Sequence, residues 1–249
     1  MSKIAIINPN MSVGFTDKIR EQAGRIAFPH NEILALNPTF GPDSIEGYYD
    51  EAFASVGLLS VIREIDPTGI DGYVVACFDD TGVDAARCLT AAPVMGLCEG
   101  ALRFAQALAG RYAIVTPMAV SVRPLEHLVR KYGADRDCVV RAAGVRTLDF
   151  EGSQAEMAYQ ALQNAARKSL ANDGAEAIVL GCAGMTDIAD RLKADLGVPV
   201  IDGVQAAIKM VEGMAALNLA TSKHSTYANP PAKSYHGMFG KFAPIPTAV

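Results

Sequence analysis

A stretch of this chain is written twice. Ala92-Pro-Val-Met-Gly-Leu-Cys-Glu-Gly-Ala-Leu-Arg-Phe-Ala105 aligns with Val198-Pro-Val-Ile-Asp-Gly-Val-Gln-Ala-Ala-Ile-Lys-Met-Val211 at an offset of 106. Asn8-Pro9 aligns with Thr116-Pro117 at 108, and Cys77 with Cys182 at 105. Self-similarity at a nearly constant offset is the mark of a duplicated structural unit. In a chain of 249 residues it predicts two similar lobes of about 110 residues, each of ordinary domain size.

The hydrophobic pattern predicts what each lobe contains. Short β-branched runs at 3–7, 32–36, 73–77 and 93–97 read as buried strands. Between them, 12–27, 45–65 and about 83–90 carry apolar residues at helical spacing. The second half repeats the rhythm, with strands at 112–115, 139–143, 177–182 and 199–201. Its helices are expected at 121–132, about 154–171, 183 to about 194, and 203–215. Ser153-Gln-Ala-Glu156 has the form of a capping box at the start of one of them. Alternating strands and helices imply parallel sheets covered on both faces. The expected fold is therefore α/β, with two pseudo-symmetric, doubly wound (flavodoxin-like) lobes and a cleft between them. Residues 1–98 with part of the C-terminal region form the first lobe in this reading, 99–215 the second, and 216–249 an extended arm. Ligands of such sheets bind beyond the carboxyl ends of the strands.

Several function classes are disfavoured. A net charge of −5 with 22 Lys and Arg argues against a dedicated nucleic-acid binder. No apolar run approaches the ~18 residues that span a membrane, and residues 3–7 are too short for a secretory signal and read as a first strand. Five cysteines make an odd count in a chain that needs no staples, so reduced thiols and a cytoplasmic location are expected. A metal site is not expected: there is no C-x-x-C, and His30, His127, His224 and His236 show no ligand spacing. No G-x-G-x-x-G follows the first strand and no P-loop sequence exists.

The repeat divides the cysteines. Cys77 and Cys182 fall at equivalent strand ends, just before turns that enter a helix, and pseudo-twofold symmetry places them on opposite walls of one cleft. Helix-start N–H groups can hold a thiolate and lower a thiol's pKa from about 8.5. Such a thiol is a usable acid or base. Free Cys is often a small buried hydrophobe, but packing alone gives no reason to keep Cys at both positions. Cys88, Cys98 and Cys138 have no Cys partner in the repeat and read as core or surface filler.

Ile7-Asn-Pro-Asn10, Ser44-Ile-Glu-Gly47, Ala76-Cys-Phe-Asp-Asp-Thr-Gly82, Val179-Leu-Gly-Cys-Ala-Gly-Met185, Pro199-Val-Ile-Asp-Gly203 and Ala220-Thr-Ser-Lys223 resemble hydantoin racemases and allantoin racemases, of the Asp/Glu/hydantoin racemase superfamily. The similarity runs from residue 3 to about 224. It implies a cofactor-independent isomerase that racemises 5-substituted hydantoins, allantoin among them. Cys77 and Cys182 are then the acid–base pair, one thiolate taking the C5 proton and the other thiol delivering a proton to the opposite face. The resemblance also implies a small-molecule substrate, with neither nucleic acid nor membrane as a partner, and a homo-oligomer. For substrate binding it points to Asn10, Ile45, Phe78, Thr116, Gly181, Ala183 and Gly184. Asn10 has an equal reading as an Asx-turn residue. Thr116 is taken as its counterpart in the second lobe.

This sequence departs from the family where Asp79-Asp80-Thr81-Gly82 replaces the frequent Gly-Asp-Pro-Gly. Asp79 is expected to point outward or to cap the next helix. Phe78-Asp79 and Ala183-Gly184 disfavour an amino-acid racemase, whose cysteines are typically followed by Asn-Thr and Thr-His. Maleate isomerase activity and a non-catalytic two-lobed ligand-binding protein remain as alternatives. Beyond about residue 222, Pro-rich segments are expected to form no regular helix. Tyr227, Tyr235, Met238, Phe239 and Phe242 suggest packing on a neighbour or on the chain's own lobe, with the tail's Lys and His solvated.

Overall fold

The structure, a computed structural model, describes residues 1–150 and 152–244. The first sheet has four strands: β1 (Lys3–Ile7), β2 (Glu32–Leu36), β3 (Gly72–Val75) and β4 (Val94–Gly96). They are all parallel, in the order β2-β1-β3-β4. The second sheet comprises β5 (Tyr112–Thr116), β6 (Cys138–Ala142), β7 (Ala177–Leu180) and β8 (Val200–Ile201). Its order, β6-β5-β7-β8, is the same and again parallel. Pairing registers match as well. Ile7 lies opposite Val75, and Val115 opposite Leu180. Central strands β1, β3, β5 and β7 are almost entirely buried, which is why they read as continuous apolar runs.

Helices α1 (Val13–Ile26), α2 (Tyr48–Ile65), α3 (Val83–Leu89) and α4 (Leu97–Leu108) accompany the first sheet in sequence. The second is followed through by α5 (Val122–Lys131), α6 (Ala155–Asn172), α7 (Ala189–Leu196) and α8 (Gly203–Ala216). The last helix of each half lies against the other half's sheet: α4 packs on β7 and β8, and α8 on β3 and β4. The two exchanged helices also pack on each other. A Cβ on Gly100 would lie 3.0 Å from the Ala207 Cα, so any larger residue would force the two helices apart by a few tenths of an ångström. One apolar cluster consequently runs through both sheets, from Ile4 and Val74 by way of Leu102 and Ile208 to Ile114 and Val179. No described helix is long and apolar enough to cross a membrane.

Local differences from the sequence reading have physical causes. The strand expected at 93–97 stops at Gly96, and α4, which the pattern did not reveal, begins at once. Asp80 is responsible, because its carboxylate accepts the N–H groups of Cys98 (2.9 Å) and Glu99 (3.0 Å). The capping box does not form. Gln154 is the N-cap and makes no side-chain cap bond, because Glu156 is drawn to Arg191 in a two-pronged ion pair (2.7 and 2.9 Å). Strands β3 and β7 each end two residues before their cysteine. Residues 183–188 form a 3-10 helix, with α7 starting only at Ala189. Cys138 opens β6 instead of preceding it, and α2 starts at Tyr48, leaving 45–47 in a loop.

The tail turns back over α2 and α3. Thr221 N–H donates to the Ala91 carbonyl at 2.8 Å, and Tyr227 Oη donates to Asp84 at 3.1 Å. Gly237–Phe242 forms a 3-10 helix where no regular helix was expected. Lys223 is only part-exposed. Its Nζ donates to the carbonyls of Arg87 (2.6 Å) and Tyr227 (3.3 Å), pinning the tail to α3. The Pro-rich segment read over 242–247 extends past residue 244, so its positions 245–247 lie outside the described residues.

Candidate active site

A cleft of about 530 Å³, open mouth included, lies at the carboxyl ends of β1, β3, β5 and β7. Its walls hold Cys77, Cys182 and every other residue singled out from sequence: Asn10, Ile45, Phe78, Thr116, Gly181, Ala183 and Gly184. The three remaining cysteines lie elsewhere. Cys98 is wholly buried on α4, Cys138 packs against the central cluster, and Cys88 faces the tail on α3. All five are free thiols. Among the described residues no three His, Cys, Asp or Glu side chains converge to hold a metal ion.

Both sulfurs sit in matching nests. After β3 the Cys77 N–H turns back to the Val75 carbonyl (2.9 Å), and the Asp80 N–H reaches the Cys77 carbonyl (3.1 Å). This tight turn aims the Asp79 N–H at Cys77 Sγ, and the Thr81 hydroxyl adds a second donor at 3.3 Å. In the second lobe Cys182 sits at the N-cap of the 183–188 helix. Its Sγ accepts from the Gly184 N–H and from Thr147. Each sulfur thus receives one N–H from two residues on and one threonine hydroxyl.

Helix-start geometry was expected to lower both thiol pKa values. Burial reverses that. Loss of hydration lifts Cys182 to about 11 and Cys77 well above the ordinary thiol range. The negative charge of Asp79 pushes both upward. The donors pull down without overcoming burial, and Lys18 adds a small downward pull on Cys182 alone. Lys18 also bridges the cleft edge, 3.5 Å from Asp187 of the second lobe.

Asp79 corrects the sequence reading. It lines the cleft and caps nothing, since the N-cap of α3 is Gly82, which has no side-chain cap bond. Its neighbour Asp80 turns the other way, into the protein. A left-handed backbone (φ 49°), which Asp tolerates better than most residues, lets that carboxylate reach the start of α4. Besides the two N–H groups, it accepts the Tyr132 hydroxyl at 2.8 Å.

The Asn8–Asn10 loop shows why residue types recur there. Asn10 Oδ1 accepts from the Ser12 N–H and from Asn8 Nδ2, both at 2.9 Å, which is the Asx-turn role. Its Nδ2 has no hydrogen bond among the described residues and shares the cleft wall. The strand registers make Thr116 the counterpart of Asn8 and not of Asn10. The Thr116 hydroxyl donates to the Gly181 carbonyl at 3.4 Å. Phe15 and Thr147 were missed from sequence. Phe15 reaches across from α1, so that a Cβ on Gly184 would lie 3.2 Å from its ring. Thr147 opens a one-turn 3-10 helix, Thr147–Phe150, too short to leave a periodic signal in the sequence.

The family model for Asp/Glu/hydantoin racemases matches residues 4–211. The chain is 44% identical to a hydantoin racemase from Rhizobium meliloti, over 94% of this chain and 97% of that one. It is 39% identical to a hydantoin racemase from a Pseudomonas species, over 96% of both chains. The solved allantoin racemase from Klebsiella pneumoniae superposes with a TM-score of 0.94 at 42% identity, covering 98% of this chain and all of the other.

Proposed function

The chain belongs to the Asp/Glu/hydantoin racemase family, and from that premise we propose that it racemises 5-substituted hydantoins, allantoin among them, by proton transfer between Cys77 and Cys182. The observation that carries this reading is the pair of matched sulfur nests on one cleft. A planar intermediate needs a proton donor on each face, and pseudo-twofold symmetry supplies one from each lobe.

The chemistry follows from the ring. Its C5–H lies beside a carbonyl, so removing the proton leaves an enolate-like carbanion. One sulfur, as thiolate, takes that proton. The opposite thiol delivers its own proton to the other face, and the ring leaves inverted at C5 with the protonation of the two sulfurs exchanged. The nest donors stabilise whichever sulfur is charged, and the N–H of each nest is fixed by the backbone before substrate arrives. The ring oxygens fall to Asn10 Nδ2 and the Ala183 N–H, since the Gly181 N–H is taken by the Val115 carbonyl and the Gly184 N–H by Cys182, and the substituent packs on Ile45 and Phe78.

This reading also gives the protein no cofactor, a cytoplasmic location consistent with its free thiols, and a homo-oligomeric state. Exposed Tyr49, Phe53 and Met238 are candidates for that contact. It divides the chain into a first lobe of residues 1–98 with part of the C-terminal region, a second of 99–215, and a tail of 216–249.

The test is direct. An optically pure 5-substituted hydantoin incubated with the protein in buffered D2O should lose optical rotation while C5 takes up deuterium. Unchanged rotation across alkyl, aryl and ureido substituents would sink the proposal. A pH profile adds a second expectation. Both thiols are held above their ordinary range, so the thiolate fraction grows as pH rises, while the opposite sulfur stays protonated to act as acid. After subtraction of the spontaneous reaction, kcat/KM should climb steadily from about pH 7 to about pH 9. A plateau already reached below pH 7 would show that burial does not govern these sulfurs.

A further inference from the structure

Asp79 is a charged residue of the cleft wall that the two-thiol reaction does not use. Its side chain lines the cleft and is half-buried. Among the described residues its carboxyl takes part in no hydrogen bond or ion pair. The charged and titratable groups that act on it or feel it are Glu51 from α2, Asp80 from its own loop, the two cleft thiols and Cys98 on α4. None of these is a cation. Burial and the nearby carboxylates hold it up at about 7. Glu51 is no alternative partner, since its own Oε1 is buried without a hydrogen bond. The neighbouring walls, Phe15, Ile45 and Phe78, are apolar. A half-desolvated carboxylate set in such a wall has an unfilled demand for an N–H donor.

We propose that Asp79 determines specificity in this cleft, its carboxylate receiving an N–H donor at the end of the substrate's 5-substituent, a cationic amine most strongly. The assignment rests on the hydantoin reading above and adds a substrate class to it. A carboxylate that raises the pKa of both thiols burdens the reaction unless something offsets its charge. A bound ammonium group does so, and it also removes the electrostatic pressure on Cys77. Selection by such a contact is strong because the donorless analogue leaves the carboxylate unpaired.

The experiment compares 5-aminobutylhydantoin with 5-pentylhydantoin, which share the reacting ring and the length of the side chain. The ratio of their kcat/KM values isolates what the terminal amine does at Asp79, namely the direct contact together with the relief of the thiols that the contact brings. Wild type should favour the amine, and Asp79→Gly should lower that preference at least about tenfold, the loss typical of a charged hydrogen bond. Asp79→Asn, which keeps an acceptor without the charge, should fall between them. The wild-type preference should also grow between about pH 6 and about pH 8 as the carboxyl ionises. An equal ratio in wild type and Asp79→Gly overturns the assignment and leaves the racemase reading standing. Failure of wild type to racemise either probe, or any other hydantoin, overturns both.

Discussion

Replacing either Cys77 or Cys182 by Ser should cut racemisation by about 10²–10⁴-fold, the range one positioned acid or base supplies. Serine is nearly isosteric and keeps the nest donors satisfied, so thermal stability should change little. The hydroxyl, however, does not ionise in this pH range, and its sulfur partner is left without an exchange counterpart. The two variants should differ from wild type in a specific way. Each retains one working sulfur on one face of the ring. Deuterium exchange at C5 should therefore survive for one enantiomer in each variant, with the configuration kept, and the two variants should serve opposite enantiomers. Optical rotation and C5 deuterium content, followed together on each pure enantiomer, read both effects. Full racemisation by either single variant would falsify the two-base mechanism.

A second large effect concerns stability rather than chemistry. Asp80→Ala should destabilise the fold by about 3–5 kcal/mol, a large part of the net stability of an ordinary domain. This carboxylate is buried and serves three donors at once: the N–H groups of Cys98 and Glu99, and the Tyr132 hydroxyl. Through them it joins the Cys77 loop, the start of α4 and the end of α5. Removing it leaves buried donors without partners at the helix that crosses between the lobes. Gly96→Ala should strike the same point from the other side, because an added Cβ would lie 2.2 Å from Asp80 Oδ1 and 2.3 Å from its Cγ. Urea denaturation measures both. An Asp80→Ala protein within about 1 kcal/mol of wild type would show that the tie does not hold the lobes together. Since the same loop carries Cys77, both variants should also lose activity at temperatures where they are still folded.

Much of this arrangement was legible because duplication leaves its mark twice. The offset of about 106 predicted two like sheets, and the strand orders and registers agree. Cys77 and Cys182 could be separated from Cys88, Cys98 and Cys138 by repeat position alone. Features that depend on an unpaired element were not legible. Thr147 has no periodic context, and Phe15 sits on the apolar face of α1, where a core role and a cleft role look alike in sequence. Asp79 departs from the expected outward or capping position for a related reason. Two adjacent carboxylates are interchangeable in composition, and only the left-handed backbone at Asp80 decides which one turns inward.

The amino-acid sequence by itself determined the class of fold, the number of lobes and the identity of the two paired thiols. Each rests on local pattern and its repetition, which act along the chain. Tertiary structure decided three things that depend on distance through space. It exchanged α4 and α8 between the sheets, because small residues at Gly100 and Ala207 let the helices meet. It raised the thiol pKa values that helix-start geometry alone would lower, because burial removes water from both sulfurs at once. And it turned Asp79 into the cleft with no partner among the described residues, because the neighbouring carboxylate had already taken the start of α4.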